Sequence, residues 1–447
     1  MQTRADFRAK ATKPPGAGEW PLPARENFLG VKCLWAALLL WLAVTRAGAW
    51  TQECYVWQRQ PSPALTQALA AARAQLDGFA VLGAEIGWNG SQPQVFRAAL
   101  DYAQLAKLGR PVDLVLRVGP FSGPFMADDP TARFLKAVAS SLLADARAGG
   151  LQPAALQIDF DAAEAKLDGY RVWLDALRPV VGQTPLVFTA LPVWLRHDAE
   201  FAALAHTADG FVLQVHSLEK PSNPAVPFSL CDPVQAQVWA AQAAKVGVPF
   251  RIALPTYGYL VAFDGAGRFF ALAAEGRPPD WPATTQARAV RADASALAQL
   301  AQTWAKTPPP HCTGIIWFRL PVAGDKLNWD WITLQTILRG ETPVSKWSLE
   351  IAWPEAGLAE ISLVNSGTLS EPPPARVELR WPADSAVQAA DGLGGYHLEL
   401  KNTDGQGIIL NASPPPELSL APDHRLKIAW LRFAHEVSLT VHVAAAP

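Results

Sequence analysis

The sequence has little charge of either sign and no run of basic residues. Its 447 residues include 38 Lys and Arg and 40 Asp and Glu, for a formal net charge of −2 at pH 7. Proteins that bind nucleic acids usually present a basic face to the phosphates. We therefore expect no nucleic-acid partner.

The chain also lacks the short motifs of several enzyme classes. It contains no P-loop, no His-Glu-x-x-His helix, no Gly-x-Ser-x-Gly elbow and no paired Cys-x-x-Cys sites. We expect neither a cofactor nor a metal. A metal ion held by His216 and nearby aspartates is the alternative, although the ligand spacing matches no recognised site.

The apolar run Cys33–Val44 near the N-terminus is too short to span a bilayer comfortably. Lys32 precedes it and the small residues Ala47–Ala49 follow, which is typical of a signal peptide with its cleavage site. We assign residues 1–50 to an N-terminal extension and signal peptide, with translation starting at Val31 as a hypothesis. A periplasmic or secreted protein is expected. An uncleaved anchor is the alternative, and only then would the protein contact a membrane.

Eight short apolar segments alternate with segments of helical period. The apolar segments are Tyr55–Arg59, Phe79–Ile86, Val112–Gly119, Ala155–Asp161, Leu186–Pro192, Gly210–Ser217, Phe250–Gly258 and Gly314–Pro321. The helical segments include Ala64–Leu76, Gln94–Leu108, Thr131–Ala148, Leu167–Val181, Pro233–Val246 and Ala292–Ala305. Parallel strands buried on both faces have such unbroken apolar sequences. An open doubly wound sheet would carry a phosphate-binding glycine fingerprint after its first strand, and the sequence has none there. The sequence therefore predicts an α/β fold, a (β/α)8 TIM barrel, over residues 51–342.

The pattern changes after Arg339 to an alternation with period two. The alternating segments are Lys346–Trp353, Leu358–Asn365, Ala375–Trp381, Tyr396–Lys401, Lys427–Phe433 and Glu436–Val443. Short strands separated by turn residues are typical of a small β-sandwich. We predict an Ig-like accessory domain over residues 343–447 and a monomeric protein.

Three cysteines, Cys54, Cys231 and Cys312, remain after signal cleavage. An odd number in an exported protein favours one pair and one free thiol. Cys54 comes just before the first predicted strand and Cys312 just before the last, and these strands are neighbours in a closed barrel. A Cys54–Cys312 disulfide at the bottom rim is one prediction, and two free buried thiols are the alternative.

Polar residues recur near the C-terminal ends of the predicted strands, on the face that points into the barrel. In Ala155–Asp161 the apolar alternate residues must face the helices, which turns Gln157, Asp159 and Asp161 inward. The other inward residues near strand ends are Glu85, Arg117, Thr189, Gln214, His216, Tyr257, Trp317 and Arg319. Buried polar groups need partners, so this clustering predicts a functional site at the C-terminal mouth of the barrel.

Asp159 and Asp161 are the central candidates. Carboxylates two residues apart on a strand lie about 6–7 Å apart at their backbones. At that range, partly desolvated, one pKa rises while the other carboxylate stays ionised, which gives a proton donor and an electrostatic partner. Arg117 or Arg319 would compensate the remaining charge. A structural Asp–Arg network that closes the mouth is the alternative.

The other candidates each have two or more possible roles. His216 is a general acid or base, a hydrogen-bond donor to substrate, or a core histidine with satisfied partners. Glu85 is a second catalytic carboxylate or a structural one. Tyr257 and Tyr259 line the site or pack beneath a loop, and Gln214 is expected to contact substrate.

The 18 tryptophans fall into two groups. Helical Trp173, Trp239 and Trp304 are expected to pack in the core. A second group lies at strand ends or in the loops that follow: Trp57, Trp88, Trp194, Trp281 and Trp317. Flat aromatic faces at a concave mouth suit the C–H faces of sugar rings, although each residue could also pack in a loop. The second group favours a polysaccharide or oligosaccharide as the partner, with Trp57 and Trp317 in contact with it.

Five strings resemble an uncharacterised bacterial family, the domain of unknown function three-one-four-two. They are Leu156–Asp161, Thr189–Pro192, Leu213–His216, Ala253–Gly258 and Trp317–Pro321. The resemblance covers residues 53–340 and implies a TIM barrel without an established activity. 

The barrel is more distantly similar to chitinase-type glycoside hydrolases, whose fourth strand ends in Asp-x-Asp-x-Glu with the Glu as proton donor. Asp159 and Asp161 match the two aspartates. Ala163 occupies the position of the Glu. Glu164 lies one residue further along the chain, so its side chain would point to the opposite face of the strand. Either Asp161 has become the acid or the barrel cleaves nothing.

Together these observations predict an exported, glycosidase-like hydrolase that acts on a polysaccharide. Asp161 would be the general acid, Asp159 its electrostatic partner, and Glu85 or His216 the second catalytic group. The alternative is a non-catalytic barrel that binds carbohydrate at the same mouth.

Overall fold

The structure, a computed structural model, describes residues 50–90, 92–216, 221–226, 229–274, 280–382, 384–400, 407–412 and 419–443. The predicted signal peptide, the Val31 start and Ser217 lie outside these residues. Trp50–Pro447 forms one compact unit. Within the described ranges, no helix is both long and apolar enough to cross a membrane.

Eight parallel strands close into a barrel, as the sequence predicts. The strands are β1 (Thr51–Val56), β2 (Gly78–Asn89), β4 (Val112–Val118), β5 (Ala155–Phe160), β6 (Leu186–Ala190), β7 (Gly210–Gln214), β8 (Phe250–Pro255) and β12 (Cys312–Phe318). Closure is complete because β1 pairs in parallel with both β2 and β12.

Helices connect the barrel strands and cover their outer faces. They are α1 (Pro63–Ala72), α2 (Tyr102–Ala106), α3 (Pro130–Ala148), α4 (Leu167–Val181), α5 (Asp198–Thr207), α6 (Pro233–Ala243), α7 (Ala294–Lys306) and α8 (Trp331–Leu338). Three short 3-10 segments add to them: Glu164–Lys166, Pro192–Arg196 and Ala244–Val246. Several helices begin at a side-chain cap, as where Asp129 accepts from the backbone N–H of Ala132 at the start of α3.

Strand parity places the core on both sides of the barrel wall. In β5, Leu156, Ile158 and Phe160 are buried among the helices, as predicted. The barrel interior is filled by a separate cluster that includes Leu82, Val115 and further residues: Ala80, Ala155, Val187, Val212, Ala253 and Ile316. This packing leaves open space only towards the ends of the barrel.

A buried ion cluster occupies the bottom of the barrel. Arg251 on β8 pairs with Glu53 on β1 and, at 2.7 Å, with Asp113 on β4. The side chains of all three are at most 15% exposed. The guanidinium therefore ties three strands together beneath the apolar layer.

β2 continues beyond the barrel rim as one arm of a hairpin. Its partner β3 (Gln92–Arg97) runs antiparallel to it, where the sequence predicts the start of a helix at Gln94. The predicted helix Gln94–Leu108 is therefore wrong in its first part, and only α2 within it is helical. The unusually long β2 offers an edge to pair with, and this overrides the local helical period.

A second addition follows the seventh barrel strand. The antiparallel strands β9 (Gly258–Phe263), β10 (Phe269–Ala273) and β11 (Gln286–Arg291) form a separate three-stranded sheet in the order β10-β9-β11. Sequence periodicity does not predict this sheet. Two residues separate its first strand from the end of β8.

The C-terminal region contains two four-stranded antiparallel sheets, which confirms the predicted small β-sandwich. One sheet has the order β13-β14-β19-β16 and the other β17-β18-β15-β20. The strands are β13 (Trp347–Glu355), β14 (Leu358–Asn365), β15 (Arg376–Arg380), β16 (Val387–Gly392), β17 (Tyr396–Leu400), β18 (Gly407–Ala412), β19 (Arg425–Phe433) and β20 (Thr440–Val443). Each of the six predicted segments contains a strand, although Glu436–Val443 is a strand only from Thr440, and β16 and β18 are additional. Where the barrel meets the sandwich, the Thr333 hydroxyl donates to the Thr368 carbonyl at 2.9 Å.

The predicted Cys54–Cys312 disulfide is wrong. Cys54 lies within β1 opposite Trp317, five residues along β12 from Cys312. At about 3.3 Å per residue the two Cα atoms are far beyond the roughly 7 Å that a disulfide spans. Cys54, Cys231 and Cys312 are free, buried thiols, the alternative that the sequence left open.

Candidate functional site at the barrel mouth

A cavity of about 210 Å³ opens at the C-terminal end of the barrel. Residues from all barrel strands except β2 line this mouth cavity. They are Tyr55, Trp57, Arg117, Asp159, Asp161, Thr189, Gln214, His216, Ala253, Tyr257, Tyr259 and Phe318. Eight of the eleven residues predicted from the sequence as the site lie here, because most of the strands keep regular alternation.

Asp159 and Asp161 form the acidic wall of the mouth cavity. Burial raises the pKa of Asp159 to about 6, and the negative charge of Asp161 adds to this, while Arg117 opposes it. Loss of water around Asp161 also raises the pKa of its carboxyl, again against the charge of Arg117. Asp161 lies just past the end of β5 and is exposed, whereas Asp159 lies deeper. The pair can therefore hold a proton near neutral pH and present it at the rim.

A buried hydrogen-bond network supports Asp159 from below. Gln157 donates through Nε2 to the Tyr55 hydroxyl at 2.6 Å and to the Thr189 hydroxyl at 2.8 Å. Since the Thr189 oxygen accepts this bond, its own proton is available for Asp159, and that bond lowers the pKa of Asp159. Because alternate residues of β5 point inward, this strand supplies both Asp159 and Gln157, the centre of the network beneath it.

Arg117 provides the positive charge at the cavity wall. Its guanidinium carbon lies 5.9 Å from the ring centroid of Trp57, in a cation–π arrangement. It opposes the pKa rise of both aspartates. Of the two arginines that the sequence offers as counter-charges, Arg117 is the one that lines the cavity.

His216, two residues past the end of β7, is buried at 3% exposure and lines the cavity. Its Nδ1 lies 3.2 Å from the Tyr257 hydroxyl, and its ring stacks on Phe318 with centroids 5.7 Å apart. Burial lowers the pKa of His216 to about 3. The imidazole is therefore neutral at physiological pH and a weak base, which does not fit the predicted role of second catalytic acid or base.

Glu85 faces the mouth but does not line the cavity. The register between β2 and β4 shifts between Leu82 and Ala84, and this bulge turns Glu85 to the side of Arg117. Arg59 binds its carboxylate at two points, Nε at 2.6 Å and Nη2 at 3.1 Å. Glu85 acts on the site through its charge, which raises the pKa of Asp159.

Trp317 and Arg319 do not face the cavity, contrary to the predicted parity of the last strand. Trp317 is fully buried on the outer face of β12, where its Nε1 donates to Gln52 at 3.2 Å. Arg319 lies beyond the end of β12 and pairs with Asp325 at 2.5 Å. The prediction assigns the wrong set of alternate residues to the barrel interior, because the residues on both faces of this strand are apolar. Phe318 is the inward aromatic residue.

Only Trp57 of the five predicted mouth tryptophans lines the cavity. Trp194 is fully buried and donates through Nε1 to the Ala162 carbonyl at 3.0 Å, and Trp88 stacks on Phe121. The rest of the aromatic lining comes from Tyr55, Tyr257, Tyr259 and Phe318. Nothing in strand periodicity distinguishes these residues from ordinary core aromatics.

Glu164 does not replace the carboxylate missing at Ala163. It lies in a 3-10 segment outside the cavity, where Arg196 and His197 bind its two oxygens at 2.9 and 3.0 Å. Among the described residues, no group of three or more His, Cys, Asp and Glu could hold a metal ion. Asp159 and Asp161 are the two carboxylates among the residues that line the mouth cavity.

Two family models match the chain. Residues 108–323 match the family described as "Domain of unknown function (DUF3142)", and residues 352–434 match "Domain of unknown function (DUF8456)". The five strings named in the sequence analysis all lie within the first match, so the predicted resemblance is confirmed. The second match covers most of the β-sandwich. No curated protein matches the chain.

Several solved structures are similar to this chain at low identity. A chitinase from Chromobacterium violaceum is 14% identical with a TM-score of 0.46, and the alignment covers 65% of this chain and 98% of that one. The spore cortex-lytic enzyme SleL of Bacillus cereus is 14% identical with a TM-score of 0.45, covering 66% and 75%. The chitinase ChiA74 of Bacillus thuringiensis is 11% identical with a TM-score of 0.41, covering 88% and 100%. The DUF3142 match extends from just before β4 to just after β12.

Proposed function

We propose that the protein is a glycosidase-like hydrolase that binds a sugar unit of a polysaccharide or oligosaccharide in the mouth cavity. The observation that carries the proposal is that Asp159 and Asp161 line the same cavity, where loss of water raises the pKa of Asp159 to about 6. A carboxyl that titrates near the working pH is suited to general acid catalysis. The pair delivers its shared proton through Asp161, because Asp161 is exposed at the rim.

The size and lining of the mouth cavity support a single sugar unit as the occupant. Its 210 Å³ is below the roughly 300–1,000 Å³ of pockets for drug-sized ligands. Trp57 and Phe318 offer apolar faces, while Arg117 and Gln214 offer hydrogen-bond donors. This combination suits a ring with apolar C–H faces and hydroxyl edges.

The second candidate is a carbohydrate-binding barrel without catalysis. It is favoured by the state of the remaining carboxylates, since Arg59 binds Glu85 and Arg196 and His197 bind Glu164. Hydrolysis with two carboxyl groups needs both of them beside the scissile bond. Of these four, only Asp159 and Asp161 line the cavity, and both come from the end of β5 and not from two facing strands.

Cleavage and binding assays on a panel of polysaccharides distinguish the two candidates. Hydrolysis supports the first, and we expect Asp161→Asn to lower the rate about 10²- to 10⁴-fold while binding persists. Glu164→Gln is the matched control and should keep full activity. Binding without turnover on every glycan supports the second candidate. The absence of both binding and turnover contradicts both candidates.

We also propose that the protein is exported to the periplasm or secreted, on the basis of the apolar run Cys33–Val44 and the small residues Ala47–Ala49. The test is N-terminal sequencing of the protein recovered from fractionated bacterial cells. A mature N-terminus directly after Ala49, in the periplasm or medium, supports export. An intact N-terminus in the cytoplasm contradicts it.

A further inference from the structure

We propose that His216 is a neutral hydrogen-bond donor that presents its Nε2–H to an uncharged oxygen of the bound sugar. The proposal rests on the function proposed above, which it deepens by naming the residue and the ligand chemistry of one wall of the cavity. Of the three roles that the sequence leaves open for His216, it selects the hydrogen-bond donor to substrate.

The first observation is the state of the two ring nitrogens. Nδ1 has the Tyr257 hydroxyl as its partner at 3.2 Å. Nε2 is buried and has no hydrogen-bond partner among the described residues. A buried polar atom without a partner is costly, and His216 lines the mouth cavity. A ligand oxygen in the cavity would satisfy this nitrogen.

The second observation is a tyrosine relay that determines the tautomer. Tyr259, on the added three-stranded sheet, donates its hydroxyl proton to the Tyr257 oxygen at 3.3 Å. A phenol has one proton, and we infer that Tyr257 donates its own to His216 Nδ1, which lies 3.2 Å away. An imidazole that accepts at Nδ1 carries its proton on Nε2 when neutral. The relay therefore places the proton on Nε2, the buried and unpartnered nitrogen of a residue that lines the cavity.

The surroundings keep the ring neutral. Phe318 stacks on one side of His216, with an interplanar angle of 30°, and the Tyr257 ring contacts it edge-on. Burial lowers the pKa of His216 to about 3. The titratable and charged groups that share the cavity with it are Asp159, Asp161, Arg117, Tyr55, Tyr257 and Tyr259. The two carboxyl groups disfavour an anionic ligand, so the oxygen that His216 binds belongs to a neutral sugar.

The tautomer can be tested without any ligand. Long-range 1H–15N NMR spectra of the 15N-histidine-labelled protein, assigned with His216→Gln, report which nitrogen carries the proton. We expect protonation at Nε2 only and no titration between pH 5 and pH 8, whereas Tyr257→Phe should mix the two tautomers. A proton on Nδ1 in the wild-type protein, or titration in this range, overturns the proposal.

The binding role is tested by calorimetry with neutral hexasaccharides of β-1,4-linked glucose, N-acetylglucosamine and mannose, and with oligogalacturonate. His216→Leu should lower the affinity for the neutral hexasaccharide that binds by about tenfold, because one hydrogen bond in a site without water is lost. His216→Gln keeps a donor near the position of Nε2 and should restore most of the affinity. Equal affinity of His216→Leu and the wild type, or stronger binding of oligogalacturonate, overturns the proposal.

The two proposals fail in different ways. If none of the glycans binds while NMR finds the Nε2–H tautomer, the proposed function and the sugar-binding role of His216 are both contradicted, and only the relay stands. If glycans bind and His216→Leu has no effect, the proposed function survives and the role of His216 is contradicted.

Discussion

Arg59 holds Glu85 in a two-point ion pair, with Nε 2.6 Å and Nη2 3.1 Å from the two carboxylate oxygens. The pair stands next to the mouth cavity, and the charge of Glu85 reaches Asp159, whose pKa it raises. Glu85 thus influences the acidic pair without contacting the space where a substrate would lie. Four predictions follow from this and from other contacts.

Arg59→Ala should raise the pKa of Asp159 above its value in the wild type. The negative charge of Glu85 loses its compensation and disfavours ionisation of Asp159 further. Glu85→Gln should shift the same pKa in the opposite direction. Carboxyl 13C NMR titrations measure both shifts, and unchanged titration curves in both variants would contradict the coupling.

The free energy of unfolding should depend on pH through Asp159. Its pKa is 3.8 in an ordinary setting and about 6 in the fold, so the folded protein binds this proton more tightly. The contribution of Asp159 to stability is therefore complete below pH 3.8 and is lost as the pH rises through about 6. Urea unfolding of the wild type and Asp159→Asn across pH 4–7 measures it.

The difference between the two unfolding curves isolates Asp159. His216 contributes with the opposite sign, because its pKa falls from 6.5 to about 3 on folding and stability is lost as the pH falls below 6.5. That contribution is common to both proteins. We expect the stability of the wild type to decline relative to Asp159→Asn between pH 4 and pH 6, and parallel curves would refute the raised pKa.

Trp57→Phe and Trp317→Phe form a matched pair that tests the orientation of the last strand. Both residues are buried, so each substitution should cost about 1–3 kcal/mol of stability. Only Trp57→Phe should also weaken glycan binding, because Trp57 lines the cavity and contacts Arg117. Calorimetry with a bound glycan decides, and weaker binding by Trp317→Phe would be incompatible with its outward position.

Arg251→Met should destabilise the protein by about 3–5 kcal/mol, because it leaves Glu53 and Asp113 as uncompensated buried charges. The triple variant Arg251→Met, Glu53→Gln, Asp113→Asn removes all three charges and should recover most of the loss. Thermal unfolding measures both. A triple variant as unstable as the single one would show that packing, not charge, dominates here.

The sequence predicts the barrel and the Asp159–Asp161 pair because β5 alternates cleanly between polar and apolar residues. It fails at Trp317, where both faces of β12 are apolar and parity has no marker. The sheet β9–β11 and the bulge after Leu82 depend on pairing between distant segments, which local periodicity does not contain. The partners of Glu85 and His216 are likewise tertiary contacts, so their roles could not be derived from spacing.

The ion cluster of Arg251 and the apolar layer above it make the barrel a blind well with one opening. A glycan cannot pass through it, so a long chain must either lie across the rim or lower one end into the well. Whatever is bound must also leave by the way it entered. A chain end held in the barrel would therefore have to be released before the next one could enter.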